Sequence, residues 1–340
     1  MVRDDTSNRA LRPWLALTAL SVVVTLVVGG ATRLTESGLS ITEWKPVTGV
    51  VPPMSAAAWD QAYQQYLLIP EAQTVHAGIT LPEFKALYWW EWAHRLAGRV
   101  VGLVVAIPFL FFWAKGRIPR DLFGTLLSLP LLVGAQGVLG WYMVSSGLSE
   151  RTSVSQYRLV AHLSLALLIF GIAVWTAASV GHERTAPAPA GVRRGVTALT
   201  VLAVITIMSG GFVAGLDAGR IFNEFPLMGG RFIPAGYGTG LLNAFDNPIA
   251  AQFNHRILAM LLAFATWITW IVSERGWPLN VRRWMRWAAL AALVQLTLGI
   301  ATLLSGARVG IAMAHQLGAV ALLTTLIIGV VKAYGSGDDD

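Results

Sequence analysis

The chain has 340 residues, 55% of them hydrophobic and only 13% charged, with a mean hydropathy of +0.60. That is the composition of a membrane protein, not of a soluble globule or a disordered chain. The net charge of +7 is read as positive loops on one membrane face rather than as a nucleic-acid surface, and the absence of cysteine excludes disulfides, thiolate catalysis and iron–sulfur ligation.

Taken in order, eight stretches approach the ~20 apolar residues that a spanning helix needs. They are 14–32, 100–113, 122–145, 159–179, 196–216, 257–273, 287–305 and 311–331. The first leads into Gly29-Gly30-Ala31-Thr32-Arg33 without a small-residue cleavage pattern, so it is expected to be retained rather than removed as a signal peptide. The second is entered through Glu91-Trp92-Ala93-His94-Arg95. Pro108 and Pro130 fall inside the second and third, which membrane helices tolerate. The polar tail 335–340 is left out of the fold.

Lys and Arg cluster in alternate, short segments: Arg3, Arg9 and Arg12; Lys115, Arg117 and Arg120; Arg184, Arg193 and Arg194; Arg275, Arg282, Arg283 and Arg286; then Lys332. The opposite, longer segments are poorer in positive charge, although they hold Arg151 among others. This asymmetry places both termini in the cytoplasm. Two outer segments are long. Residues 33–90 contain Pro52-Pro53 and an expected amphipathic helix over 57–68; residues 215–250 are rich in Gly and Pro. Long ordered loops on such a scaffold are expected to cover a site.

The chain repeats itself. Gly29-Gly30 with Gly38 matches Gly210-Gly211 with Gly219. Glu91 to Arg95 matches Gln252 to Arg256. Gln136 to Gly140 matches Gln295 to Gly299, and Ala161-His162 matches Ala314-His315. The order is kept while the offsets shrink from 181 to 161, 159 and 153 residues. The expected fold is an all-α integral membrane protein. Its eight transmembrane helices form two tandem pseudo-symmetric four-helix bundles, residues 1–185 and 190–334, related by an axis along the membrane normal.

Of six histidines, His76 and His182 are read as solvated loop residues. His94, His162, His255 and His315 each sit at the outer end of an even-numbered span, two per repeat. One such imidazole alone is a packing residue. Two facing imidazoles at one depth in each bundle are a metal or haem-iron arrangement. No Asp, Glu or Cys set completes a zinc or copper site around them, and haem needs only two axial ligands. The residue one turn after each histidine is small: Gly98, Ala166, Ala259 and Ala319, as a flat macrocycle requires.

Glu91 lies one turn before His94, on the same helix face. An ion pair with Arg95 accounts for it structurally. The second repeat, however, keeps Arg256 and replaces the acid by Gln252. A carboxylate beside a porphyrin can accept a proton or stabilise developing positive charge, so one reactive half and one electron-handling or structural half are expected. Arg33, Arg95 and Arg256 are candidate partners for haem propionates, against the alternative of snorkelling to lipid phosphate.

The run Gly29-Gly30-Ala31-Thr32-Arg33-Leu34-Thr35-Glu36-Ser37-Gly38-Leu39-Ser40 resembles the first outer loop of the haem A synthase family. So do Trp44-Lys45-Pro46, Pro52-Pro53, Glu91 to Arg95, Phe222 to Gly230 and Ile233-Pro234. The resemblance spans residues 13–333 and points to the mitochondrial and proteobacterial branch, which lacks the loop cysteines of another branch. It implies oxidation of a ring methyl of haem O to formyl by two hydroxylations, through a gem-diol, for terminal oxidases. By that resemblance His94 and His162 hold the substrate haem, Glu91 is the acidic catalytic residue, and His255 and His315 ligate a haem B cofactor. The implied setting is the bacterial inner membrane, with the haem sites near the outer face. The implied partners are haem O, the lipid bilayer, an electron donor or acceptor, haem O synthase or oxidase assembly factors, and further copies of the chain. The competing readings are a cytochrome b-like di-haem electron-transfer protein and a haem carrier without chemistry.

Overall fold

The computed structural model describes residues 5–148, 152–180, 185–238, 240 and 242–335, with side chains from residue 10 onward. Arg3, Arg151, His182, Arg184, the side chain of Arg9 and the tail 336–340 lie outside the described residues. Among the described residues eight helices are long and apolar enough to cross a membrane, and the chain is a multi-pass membrane protein.

The first bundle comprises α1 (Asp5–Leu34), then, after two short outer helices α2 (Ala56–Leu67) and α3 (Pro70–Thr74), α4 (Leu81–Ala114), α5 (Phe123–Ser145) and α6 (Gln156–Ser179). The second comprises α7 (Ala190–Gly215), then, after the short α8 (Asn243–Asp246), α9 (Pro248–Ser273), α10 (Leu279–Leu304) and α11 (Val309–Tyr334). In each bundle the four long helices pack in a ring, α1–α4–α5–α6 and α7–α9–α10–α11. The halves meet through α6 on α7, α11 on α1 and α6 on α11. The first two contacts are the same contact under the repeat, which is the expected pseudo-two-fold arrangement.

All eight expected spans are present, but most helices begin several residues before their apolar runs. Helix α4 starts at Leu81, well before the run beginning at Val100, and α9 starts at Pro248 rather than Ile257. Charged residues interrupt hydropathy without interrupting a helix whose backbone bonds are internal. Both starts are chemically marked. Thr80 and Glu83 form a reciprocal capping box with Pro82 in the first turn, and Asn247 caps Ile249 N–H ahead of Pro248. Such caps contribute about 1 kcal/mol each.

A continuous apolar core runs through both bundles, including Leu11, Leu15, Val105, Leu126, Leu129, Phe170, Met285 and Leu326. Because lipid is as apolar as these side chains, close packing rather than water exclusion holds the helices. A second core is built from the loop helices and the first turns of α4. Tyr66, Ile69, Ala72 and the start of α4 (Phe84, Tyr88) pack with Leu39 and Val154, and Trp59 packs at its edge. This cap covers the end of the first bundle at which α4 begins, and the expected amphipathic helix is α2. Tyr66 and Phe84 are completely buried there, each contributing about 2 kcal/mol by area.

Candidate functional site: four imidazole seats and two loop clamps

Each of the four membrane histidines rests on a glycine of a neighbouring long helix. A Cβ built on Gly29 (α1) would lie 2.6 Å from Cε1 of His94 (α4), and one on Gly140 (α5) 3.1 Å from that of His162 (α6). The repeat gives the same two seats: Gly210 (α7) at 3.0 Å from His255 (α9) and Gly299 (α10) at 2.9 Å from His315 (α11). Any side chain larger than hydrogen would displace these rings. The glycines were visible in the repeat, in GG and in QxxxG, but their job was not.

The Nδ1 atoms of His94, His162 and His315 are buried with no hydrogen-bond partner among the described residues. His255 Nδ1 lies 2.9 Å from Ser209 Oγ. A buried polar atom left unpaired costs about 1–3 kcal/mol, so mere packing is a poor account of the three unpaired rings. In the second bundle the His255 and His315 ring centres are 6.4 Å apart with planes at 83°. Two imidazoles bound axially to one metal at about 2 Å place their ring centres at roughly this separation. Both line a cavity of about 350 Å³ together with Gly210, Gly299, Ala259, Ala319, Arg33, Arg220 and Arg256. In the second bundle the small residues one turn after the histidines, Ala259 and Ala319, thus line the same space as the rings. Among the described residues no cluster of three His, Cys, Asp or Glu side chains offers a different metal site. The residues present fit a bis-imidazole haem.

The motif Gln136 to Gly140 does two things. Gln136 Nε2 donates to the carbonyl of His162 at 3.0 Å, fixing α6 beside α5, and Gly140 leaves room for the ring.

Glu91 is 2% exposed and accepts four hydrogen bonds. Ser40 Oγ donates at 2.8 Å and Ile41 N–H at 2.7 Å to Oε2, while Arg95 donates from Nε at 3.0 Å and Nη2 at 2.6 Å to Oε1. Arg95 also donates to the carbonyls of Ile41 and Glu43. In the second half Arg256 donates to the carbonyls of Phe222, Glu224 and Leu227, and Gln252 to that of Phe222. Both arginines are therefore clamps that hold an outer loop over a bundle mouth. The Glu91–Gln252 difference has a local cause as well as any chemical one: the first loop presents an N–H, the second a carbonyl.

For the propionate candidates the outcome is divided. Arg95 is committed to Glu91 and the loop. Arg33 pairs with Asp217 at 2.5 Å, yet it and Arg256 line the second cavity, and the Nε of each is buried without a partner. Arg220, which also lines it, pairs with Glu36 at 3.2 Å. The Arg33–Asp217 and Arg220–Glu36 pairs cross between the halves. Glu36 and Asp217 are themselves repeat mates, and both adopt left-handed backbone, at φ 53° and 52°.

His76 is not solvated. Its side chain is 17% exposed, and Nδ1 sits 2.6 Å from Tyr66 Oη, which in turn donates to Glu71 at 3.3 Å. The loop helices α2 and α3 bring these residues together, a long-range consequence that local sequence does not carry. Burial beside these groups holds the Glu71 carboxyl up at about 8 and pushes the Tyr66 phenol up as well.

Fold and seats together define a polytopic membrane protein of two pseudo-symmetric bundles, each carrying a pair of glycine-seated imidazoles beneath an arginine-clamped loop. The chain belongs to the cytochrome oxidase assembly protein family (COX15-CtaA), whose pattern matches residues 12–327. It is 45% identical over 339 residues to the haem A synthase of Rhizobium etli, covering 98% of this chain and 92% of that protein. It is 43% identical over 332 residues to that of Rhodopseudomonas palustris, covering 95% and 90%. It is 43% identical over 322 residues to that of Parvibaculum lavamentivorans, covering 94% and 92%.

Proposed function

We propose that this chain is a membrane oxidoreductase that converts haem O to haem A, oxidising one ring methyl to a formyl group. The observation that carries this reading is the near-full-length relation to haem A synthases, joined to a histidine pair whose 6.4 Å ring separation suits a bound haem. The second bundle is assigned a haem B cofactor, which His255 and His315 would hold, with Arg33, Arg220 and Arg256 of the same cavity the cations that would face its propionates. When bound, that group supplies one-electron redox capacity.

The first bundle is assigned the substrate haem, with His94 and His162 on its two faces. Glu91 fixes Ser40 and Ile41 above it and so closes the outer mouth against water. Its Ser40 contact is the one that rotation of a hydroxyl can release, freeing a lone pair for a proton from the substrate side. The protein is placed in the bacterial inner membrane with both termini cytoplasmic and both sites toward the outer face, on the loop-charge asymmetry.

The test is pigment extraction from cells that carry a haem O source. Haem A appearing only when this chain is co-expressed is the expected result. Haem O remaining unconverted in the presence of abundant, folded protein refutes the enzyme and leaves a carrier.

A further inference from the structure

The two Gly-Gly pairs have a division of labour that the repeat alone does not reveal. The first glycine of each pair seats a histidine of its own half. The second receives a residue from the other half, and that residue directly follows a histidine. At Gly211 the visitors are Leu163, next to His162, and Val160 one turn earlier, with Cδ2 and Cγ2 each 3.0 Å from a built Cβ. At Gly30 it is Gln316, next to His315, and a Cβ there would collide with Gln316 Oε1. Each contact therefore joins an imidazole seat of one bundle to an imidazole seat of the other through adjacent residues: His162–Leu163 onto Gly211–Gly210 under His255, and His315–Gln316 onto Gly30–Gly29 under His94.

The two contacts differ in chemistry. Leu163 makes van der Waals contact only. Gln316 Nε2 donates to the carbonyl of Leu26 at 2.9 Å, the carbonyl that the Gly30 N–H faces in a regular helix. A primary amide between membrane helices is costly unless it is fully used. Leucine fills the equivalent place without that cost. The two otherwise equivalent contacts therefore differ by one hydrogen bond between the halves.

We infer that Gln316 is the positioning residue that couples the two haem sites for electron exchange, through a hydrogen bond that bridges the His315 segment of α11 to the α1 turn seating His94. The inference rests on the two-haem reading above. The step is a single electron leaving one haem iron and arriving at the other, with no bond made or broken and no outside reactant.

The experiment uses full-length holoprotein loaded with haem B in the second half and the product haem A in the first, whose absorption bands differ. An electron is delivered by pulse radiolysis and its redistribution between the two bands is timed. Gln316→Met keeps the length of the side chain and removes the amide. Gly30→Ala keeps the amide and pushes it off the Leu26 carbonyl. Both variants are expected to retain two haems and, compared at matched driving force after their midpoint potentials are measured, to slow the redistribution by roughly an order of magnitude, while Leu163→Met leaves it unchanged. Redistribution at the wild-type rate in either bridge variant, with both haems bound, overturns the role of Gln316 and leaves the two-haem reading standing. A wild-type protein that takes up only one haem overturns the two-haem reading, and the inference with it.

Discussion

Gly29 and His94 are packed so closely that a methyl group on the glycine would lie 2.6 Å from Cε1 of the imidazole. Gly29→Ala must therefore move the ring, at a cost of about 1–3 kcal/mol in a packed interior. Gly102 sits in α4 with nothing within 4 Å of a built Cβ, and Gly102→Ala should gain up to about 1 kcal/mol from helix preference. Haem content per polypeptide is the readout: Gly29→Ala loses haem from the first half and Gly102→Ala does not. Equal haem content in the two would mean that the ring is not held where Gly29 seats it.

The Glu91–Arg95 pair predicts separable effects. Glu91→Gln, which copies Gln252, keeps an acceptor oxygen for Ser40 and Ile41 but removes the charge and turns an amide NH2 donor toward the Arg95 guanidinium. It should still bind haem while losing haem A formation. Arg95→Lys cannot reach Glu91, Ile41 and Glu43 together, since a single ammonium lacks the planar fork. It should loosen residues 40–43 at a cost of about 2 kcal/mol, seen as faster proteolysis of that loop. Normal haem A yield in Glu91→Gln would remove Glu91 from the chemistry.

The cap carries a pH dependence of definite sign. Glu71 is 5% exposed and its carboxyl is held up at about 8 in the fold, against 4.5 when free, chiefly by burial. Tyr66 donates to it directly and His76 reaches it only through Tyr66, with Glu91, Glu36 and Arg33 acting from farther away. A raised folded pKa means that the protonated form is the one the fold favours. Its contribution is complete below about pH 4.5 and is lost as pH rises through about 8. Hydrogen-exchange protection factors in α2 and α3, corrected for the intrinsic rise of exchange with pH, should fall over that window in the wild type and stay flat in Glu71→Gln. A wild-type profile as flat as the variant's would contradict the assignment.

Much of this was legible in the sequence. Apolar runs fixed the number and order of spans, because a bilayer imposes a length on any helix that crosses it. The duplication located the four histidines, the paired glycines and the QxxxG motifs. The helix starts were not legible, since Glu91 and Arg95 neutralise each other inside a helix that hydropathy treats as interrupted. Nor were the glycine seats, the cross-half pairs of Arg33 and Arg220, or the burial of His76. Each of these depends on which helix lies beside which. The one available signal was that Glu36 and Asp217 share the 181-residue offset of the glycine pairs. Arg95 is the clearest lesson: its charge suggested a ligand contact, and its geometry assigns it to loop carbonyls.

The most direct test of the account is the redox difference spectrum of the purified protein and of its His255→Leu and His315→Leu variants. The account predicts a bis-imidazole haem signal in the wild type. It predicts that this signal falls to the first-half contribution alone when either residue is changed, with the helical content intact. A haem content and spectrum identical to the wild type in both variants would contradict it.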